Sequence, residues 1–175
     1  AVANFPISGL RAHPDLITAT VMVKRAAALT NRALGRLEPE VAEAIVAAAD
    51  EVLAGALRDQ FVVDVYQAGA GTSHNMNANE VLANRAAERL GGSRGDYSRV
   101  HPPDHVNMGQ STNDVFPTAT RLALLLGHGA LVGAARGLIE RFAAHADTFR
   151  DVLKTGRTHL QDAVPMTFGQ EFSGY

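Results

Sequence analysis

Three short stretches concentrate hydroxyl and amide side chains at glycine-containing or helix-leading turns: Gly69-Ala70-Gly71-Thr72-Ser73, Gln110-Ser111-Thr112-Asn113-Asp114, and the run from Gly156 through Arg157-Thr158-His159 to Glu171. Each leads toward a predicted helix, so backbone bends fall where a small anion can sit. Ser111, Thr112 and Asn113 offer two hydroxyls and an amide just before a helical pattern. Unpaired backbone donors and the positive end of the helix dipole favour an anion there, and a carboxylate fits. The plain reading of the same residues is an N-cap that satisfies the helix's own donors. Gly69 to Gly71 permits close backbone approach, and Thr72 and Ser73 place hydroxyls beside Asn75, Asn77, Asn79 and Glu80. That turn lacks both the Walker lysine pattern and the full dinucleotide fingerprint, which argues against a phosphate site. His159, next to Thr158, is the best acid-base candidate among the seven histidines, because imidazole changes charge near neutral pH. His13, His105, His128 and His145 read as structural, and His101 beside Pro102 and Pro103 is more open. No histidine spacing resembles a metal cage, and neither a metal nor a cofactor is expected.

These turns need elements to hold them. Pro14 suits a first helical turn, and Leu16, Ile17, Val21, Val23, Ala27, Ala28 and Leu29 alternate with Lys24, Arg25 and Arg32 at helical spacing to about Leu34. Pro39 opens a second helix whose inner face is Val41, Ile45, Val46, Ala49, Val52 and Leu53, closed by Gly55. Phe61 to Tyr66 is short and β-branched, which predicts an extended segment. A third helix is predicted from Asn75 to Leu90, with Met76, Val81, Leu82 and Ala86 apolar and with Arg85, Glu88 and Arg89 on a solvated face. Gly95 to Asn107 reads as loop, its two prolines disfavouring helix. Asn113 or Asp114 caps a last, long helix that tolerates Pro117 and runs to about Ala146, about 45 Å at 1.5 Å per residue. Helices of that length belong to bundles, where neighbouring helices cover them.

The 175 residues are enough for a substantial core. Cysteine is absent, which removes disulfides and thiolate chemistry and fits a reducing, cytoplasmic setting. A formal charge of -2 with mixed signs offers no basic stripe for nucleic acid. No uninterrupted apolar run approaches the roughly 20 residues of a membrane span, so no membrane partner is expected. The chain opens on Ala1-Val2-Ala3-Asn4 without methionine and stops at Tyr175 as a helical pattern begins. It reads as a fragment.

In combination and order, Asn4-Phe5-Pro6-Ile7-Ser8-Gly9, Gly71-Thr72-Ser73-His74-Asn75-Met76-Asn77, Ser111-Thr112-Asn113-Asp114 and Gly156-Arg157-Thr158-His159 resemble the N-terminal part of the fumarase/aspartase superfamily over essentially the whole chain. The resemblance implies a mainly α fold: an N-terminal helical domain over 1–112, then, from 113 to 175, the start of a long-helix central bundle. It implies a homotetramer with sites built from more than one subunit. Members eliminate a group from a succinyl skeleton to give fumarate or a relative, through a carbanion with aci-carboxylate character. By resemblance Ser111 and Thr112 hold that carboxylate with Thr72 nearby, while Asn113, Thr158 and His159 surround the other end of a small dicarboxylate and its leaving group. Thr158 and His159 are thereby the expected catalytic pair. Ala70 and Thr112 look more like the aspartate ammonia-lyase branch. Class II fumarases, the alternative, more often carry serine at both positions, and Phe172-Ser173-Gly174-Tyr175 leans their way. Pro103 stands where an accessory dicarboxylate site near His101 would have Asn. The base-bearing loop of the family lies beyond residue 175, so a catalytically silent relative, of the kind seen among lens crystallins, is the reading of another class.

Overall fold

In the first helix, α1 (Pro14–Ala33), the inward stripe is Ile17, Val21, Lys24, Ala28 and Asn31, at the three- and four-residue spacing of one helix face. The computed structural model describes residues 1–67 and 69–175. Pro14 occupies the first turn, and His13 caps it by accepting the Asp15 N–H at 3.2 Å. Lys24, one of the charged residues that alternate with the apolar ones, is fully buried. Its position in the stripe decides this, not its type.

α2 (Pro39–Leu53) starts on a first-turn proline and buries Ala42, Ala44, Ile45, Ala48, Ala49 and Val52. Its small residues let α1 and the next helix approach closely, and each buried Ile or Val contributes about 2 kcal/mol from area removed from water. The Phe61 to Tyr66 segment is not helical. It carries one isolated antiparallel bridge, Arg11 to Asp64. Asp64 accepts from the Ser8 and Gly9 N–H groups, the Ser8 hydroxyl and the Tyr66 N–H. Desolvation opposes ionisation, but these donors outweigh it and hold the carboxyl at about 2.

α3 (Thr72–Arg89) begins three residues earlier than the pattern suggests. Gly69, Ala70 and Gly71 all have positive φ (70°, 45° and 75°), so the chain turns left-handed and enters the helix directly at Thr72. The inner face at that end is His74, Asn75, Asn77 and Asn79 rather than Met76. Further along, Arg85 and Arg89 both pair with Glu51 of α2, and Glu88 pairs with Arg85 and Arg94. This face is therefore a partly buried ion-pair network and not simply a solvated one. The stretch read as loop contains a single π-helical turn, Pro102–Val106. Proline at its first positions forfeits no internal hydrogen bond, and His101 and His105 each cap its backbone.

α4 (Thr112–Thr148) is 37 residues long. Two compact units divide within it, Ala1–Leu126 and Gly127–Tyr175. Leu124, Leu125, Leu126, Leu131, Leu138 and Ile139 are all exposed. By length and composition this helix is apolar enough to cross a membrane, which corrects the expectation that no such segment exists.

The second unit holds the largest departure. The Gly156 to Glu171 run does not turn into a helix but forms a hairpin, β1 (Leu153–Thr158) against β2 (Gln161–Thr167), antiparallel with a bulge between Gly156 and Arg157. Its two-residue turn is His159-Leu160, both left-handed at φ 51° and 61°, the geometry of a tight primed turn. α5 (Phe168–Ser173) follows, with Thr167 and Gln170 forming a reciprocal capping box. The fold is mainly α, as expected, with this hairpin as an addition.

Candidate active site

Two helix starts meet in the first unit. A Cβ placed on Gly71, the residue before α3, would lie 2.2 Å from the Phe116 ring of α4, so only glycine permits this approach. Across the junction, the Asn75 Nδ2 of α3 donates to the Thr112 Oγ1 at 3.1 Å. Thr72, Ser111, Thr112 and Asn113 thus lie on the first turns of two adjoining helices.

Several donors there have no acceptor among the described residues. Ser111, not Asn113 or Asp114, caps α4: its Oγ accepts the Asn113 N–H at 3.2 Å. With one lone pair engaged in this way, the hydroxyls of Ser111 and Thr112 each keep their hydrogen for an outside acceptor. The N–H groups of Thr112 and Ser73 find no acceptor among the described residues. Pro117 lies inside α4 and has no N–H for the Asn113 carbonyl. Thr72, Ser111 and Asn113 are exposed and Thr112 is half-buried.

Beneath these residues runs a buried polar layer that sequence reasoning missed. Asn107 Oδ1 accepts from Lys24 Nζ at 2.8 Å, Asn75 Nδ2 at 3.2 Å and Asn79 Nδ2 at 3.2 Å. Lys24 also donates to Gln110 Oε1 at 3.0 Å. The Asn107 and Gln110 amide groups are oriented by their own donations to the Gln110, Val106 and Met108 carbonyls. The Oδ1 atoms of Asn75 and Asn79 are buried without a partner among the described residues. His74 donates from Nε2 to the Thr20 hydroxyl at 2.9 Å, since that hydroxyl spends its own hydrogen on the Leu16 carbonyl. Burial, and then the nearby Lys24 charge, lower His74 to about 4, so it is neutral at physiological pH. Burial likewise pushes Lys24 down to about 7. The available signal was periodicity: Thr20, Lys24 and Asn31 lie within the apolar register of α1.

Thr158 and His159 belong to the second unit. Thr158 ends β1, paired with Gln161, and His159 is the first residue of the hairpin turn. Both are exposed. A histidine at positive φ is strained relative to glycine or asparagine, and the tip presents its ring to solvent. Among the described residues no group of three or more His, Asp or Glu side chains could hold a metal ion.

The family model described as lyase matches residues 2–175. The chain belongs to the fumarase/aspartase superfamily. It is 54% identical to the aspartate ammonia-lyase of a Bacillus species over 175 residues, covering 100% of this chain and 37% of that protein. It is 58% identical to the class II fumarate hydratase of Halobacterium salinarum over 179 residues, again 100% of this chain and 37% of the relative. Among solved structures, the fumarate lyase:delta crystallin of Brucella melitensis in native form superposes with a TM-score of 0.80 at 55% identity, over 99% of this chain and 41% of that one. The class II fumarase of Schistosoma mansoni gives 0.78 at 41% identity, over 99% and 37%. The chain therefore spans little more than a third of the length of these curated relatives. Membership in the superfamily accounts for the mainly helical architecture, while relatives of both activities stand at comparable identity.

Proposed function

We propose that the full-length protein is a lyase that removes ammonia from L-aspartate to give fumarate. The carrying observation is the joined start of α3 and α4, where the Ser111 and Thr112 hydroxyls and the Thr112 and Ser73 N–H groups have no acceptor among the described residues. In the proposed reaction a base outside this chain takes a proton from the carbon next to one carboxylate. The electron pair moves into that carboxylate as aci-carboxylate character, then forms the double bond as the C–N bond breaks and ammonia leaves. Charge thus grows on the carboxylate held at Ser111 and Thr112, with Thr72 nearby, and preorganised donors at that point lower the barrier. Asn113, Thr158 and His159 serve the other end of the substrate and its leaving group in this reading.

Ammonia elimination is favoured by Ala70 and Thr112, which lack the paired serines more usual in class II fumarases. The second reading, hydration of fumarate to malate, is supported by the 58% identity to the Halobacterium fumarate hydratase, slightly above the aspartase value. In this reading the exposed leucines of α4 support self-association, as a homotetramer. Ultraviolet absorbance of fumarate, followed side by side with L-aspartate and L-malate and paired with an ammonia assay, tests the choice. Fumarate and ammonia from aspartate are expected. Robust conversion of malate with no ammonia from aspartate would overturn it in favour of the hydratase.

A further inference from the structure

Lys24 is the most unusual cation in the first unit. It is fully buried, and among the described residues it has no carboxylate within salt-bridge distance. Unpaired buried charge is costly and is ordinarily replaced by an apolar side chain at little loss of stability. Its two acceptors are neutral amides, each locked in orientation by other hydrogen bonds. From Asn107 the chain of contacts passes to Asn75 and ends on the Thr112 hydroxyl, at the face where the donors are free.

Resting on the carboxylate reading above, we propose that Lys24 is the buried cation of that site. It is a positioning residue that acts through Asn107 and Asn75 on Thr112 and strengthens binding of a dicarboxylate at the start of α4. A cation in a low-dielectric layer attracts an anion that enters above it, whereas bulk solvent would screen the same pair. At a separation on the order of 10 Å and an effective dielectric near 20, the attraction corresponds to roughly a tenfold change in affinity.

The charge state supplies a separable readout. With Lys24 lowered to about 7 by burial, part of the free protein carries it neutral slightly above that pH, and a bound anion favours the protonated form. Dicarboxylate binding therefore takes up protons. The groups facing Lys24 do not confuse this: His74 of α3 is neutral down to about 4, and Asn107 and Gln110 are uncharged. Asp114 in the first turn of α4 is exposed, and the acids Asp50 and Glu43 of α2 pair with Arg25 and Arg32.

Isothermal titration of the full-length protein with succinate, in two buffers of different ionisation enthalpy at pH about 7.5, tests this with wild type, Lys24→Met and Lys24→Gln. Expected is proton uptake by wild type, with loss of most of that uptake and roughly threefold weaker binding at this pH, because much of the free protein carries Lys24 neutral there, in whichever variant melts as a folded protein. Equal affinity and equal proton uptake in a folded variant would overturn the inference alone. A wild type that neither binds succinate nor turns over aspartate or malate would overturn the carboxylate reading itself, and this inference with it.

Discussion

Ser111 and Thr112 differ from ordinary helix caps in where their hydrogens go. Ser111 spends a lone pair on the Asn113 N–H, and Thr112 receives the Asn75 amide, so each hydroxyl retains a donor that no acceptor among the described residues consumes. If those donors act on charge that peaks in the transition state, Ser111→Ala and Thr112→Val in the full-length enzyme lower turnover by about 100-fold to 1,000-fold each. The loss of stability stays near the cost of one cap, about 1 kcal/mol. Steady-state kinetics beside thermal melts separate the two effects. Wild-type turnover in either variant would leave these residues as caps and nothing more. His159 stands apart at this scale: it was legible as a candidate from its type and neighbours, but its place at a left-handed hairpin tip was not.

At the scale of elements, the site depends on how closely α3 can start against α4. Gly71 has φ 75°, and an added methyl would overlap the Phe116 ring at 2.2 Å. Gly71→Ala therefore combines a left-handed backbone penalty of about 1 to 2 kcal/mol with overpacking of about 1 to 3 kcal/mol. We expect a clearly lowered melting temperature, partly restored when Phe116→Leu relieves the overlap but not the backbone. A melt indistinguishable from wild type would show that the two helix starts are not held by this contact. Gly169 plays a comparable part in the second unit, where a Cβ would meet the Arg150 Cα at 2.5 Å; there α5 seats against the end of α4, amid Phe142, Phe149 and Phe172. The hairpin escaped sequence reading because Gly156 to Thr167 has neither strict alternation nor a glycine or asparagine at its turn. Its register is supported by β1–β2 pairing, and by the Lys154 amine, which pairs with Glu171 and lies over the Phe168 ring.

For the whole molecule, α4 is the decisive element. Leu124, Leu125 and Leu131 are each about 70% exposed, and exposed apolar side chains of this size on one helix are what the proposed self-association would cover. If the proposed homotetramer forms, burial against other copies in a bundle covers them without new chemistry. Leu124→Arg, Leu131→Arg and Leu138→Arg together are expected to shift the full-length protein from a tetramer to smaller species in sedimentation. Activity should fall with the assembly if the sites are shared between subunits. An unchanged sedimentation coefficient in the triple variant would remove α4 as the association surface.

What the sequence determined by itself was the helical framework and the two polar turns that lead into α3 and α4; the third, from Gly156, proved to be a hairpin. Helix boundaries at Pro14 and Pro39 follow from local backbone constraints, while periodicity gave the inner face of α2 only in part: Ile45, Ala49 and Val52 are buried as expected, but Ala42, Ala44 and Ala48 are buried where Val41, Val46 and Leu53 are half-buried. Motif order sufficed for the superfamily, whose family model matches residues 2–175. Tertiary structure alone decided which polar residues are buried. Lys24, His74, Asn75 and Asn107 look like surface residues by type, but they converge from α1, α3 and the segment before α4, up to 83 positions apart in the case of Lys24 and Asn107. Whether a charge is solvated or enclosed depends on neighbours brought from such distances; the apolar register of α1 marks Lys24 as inward-facing but does not supply those neighbours.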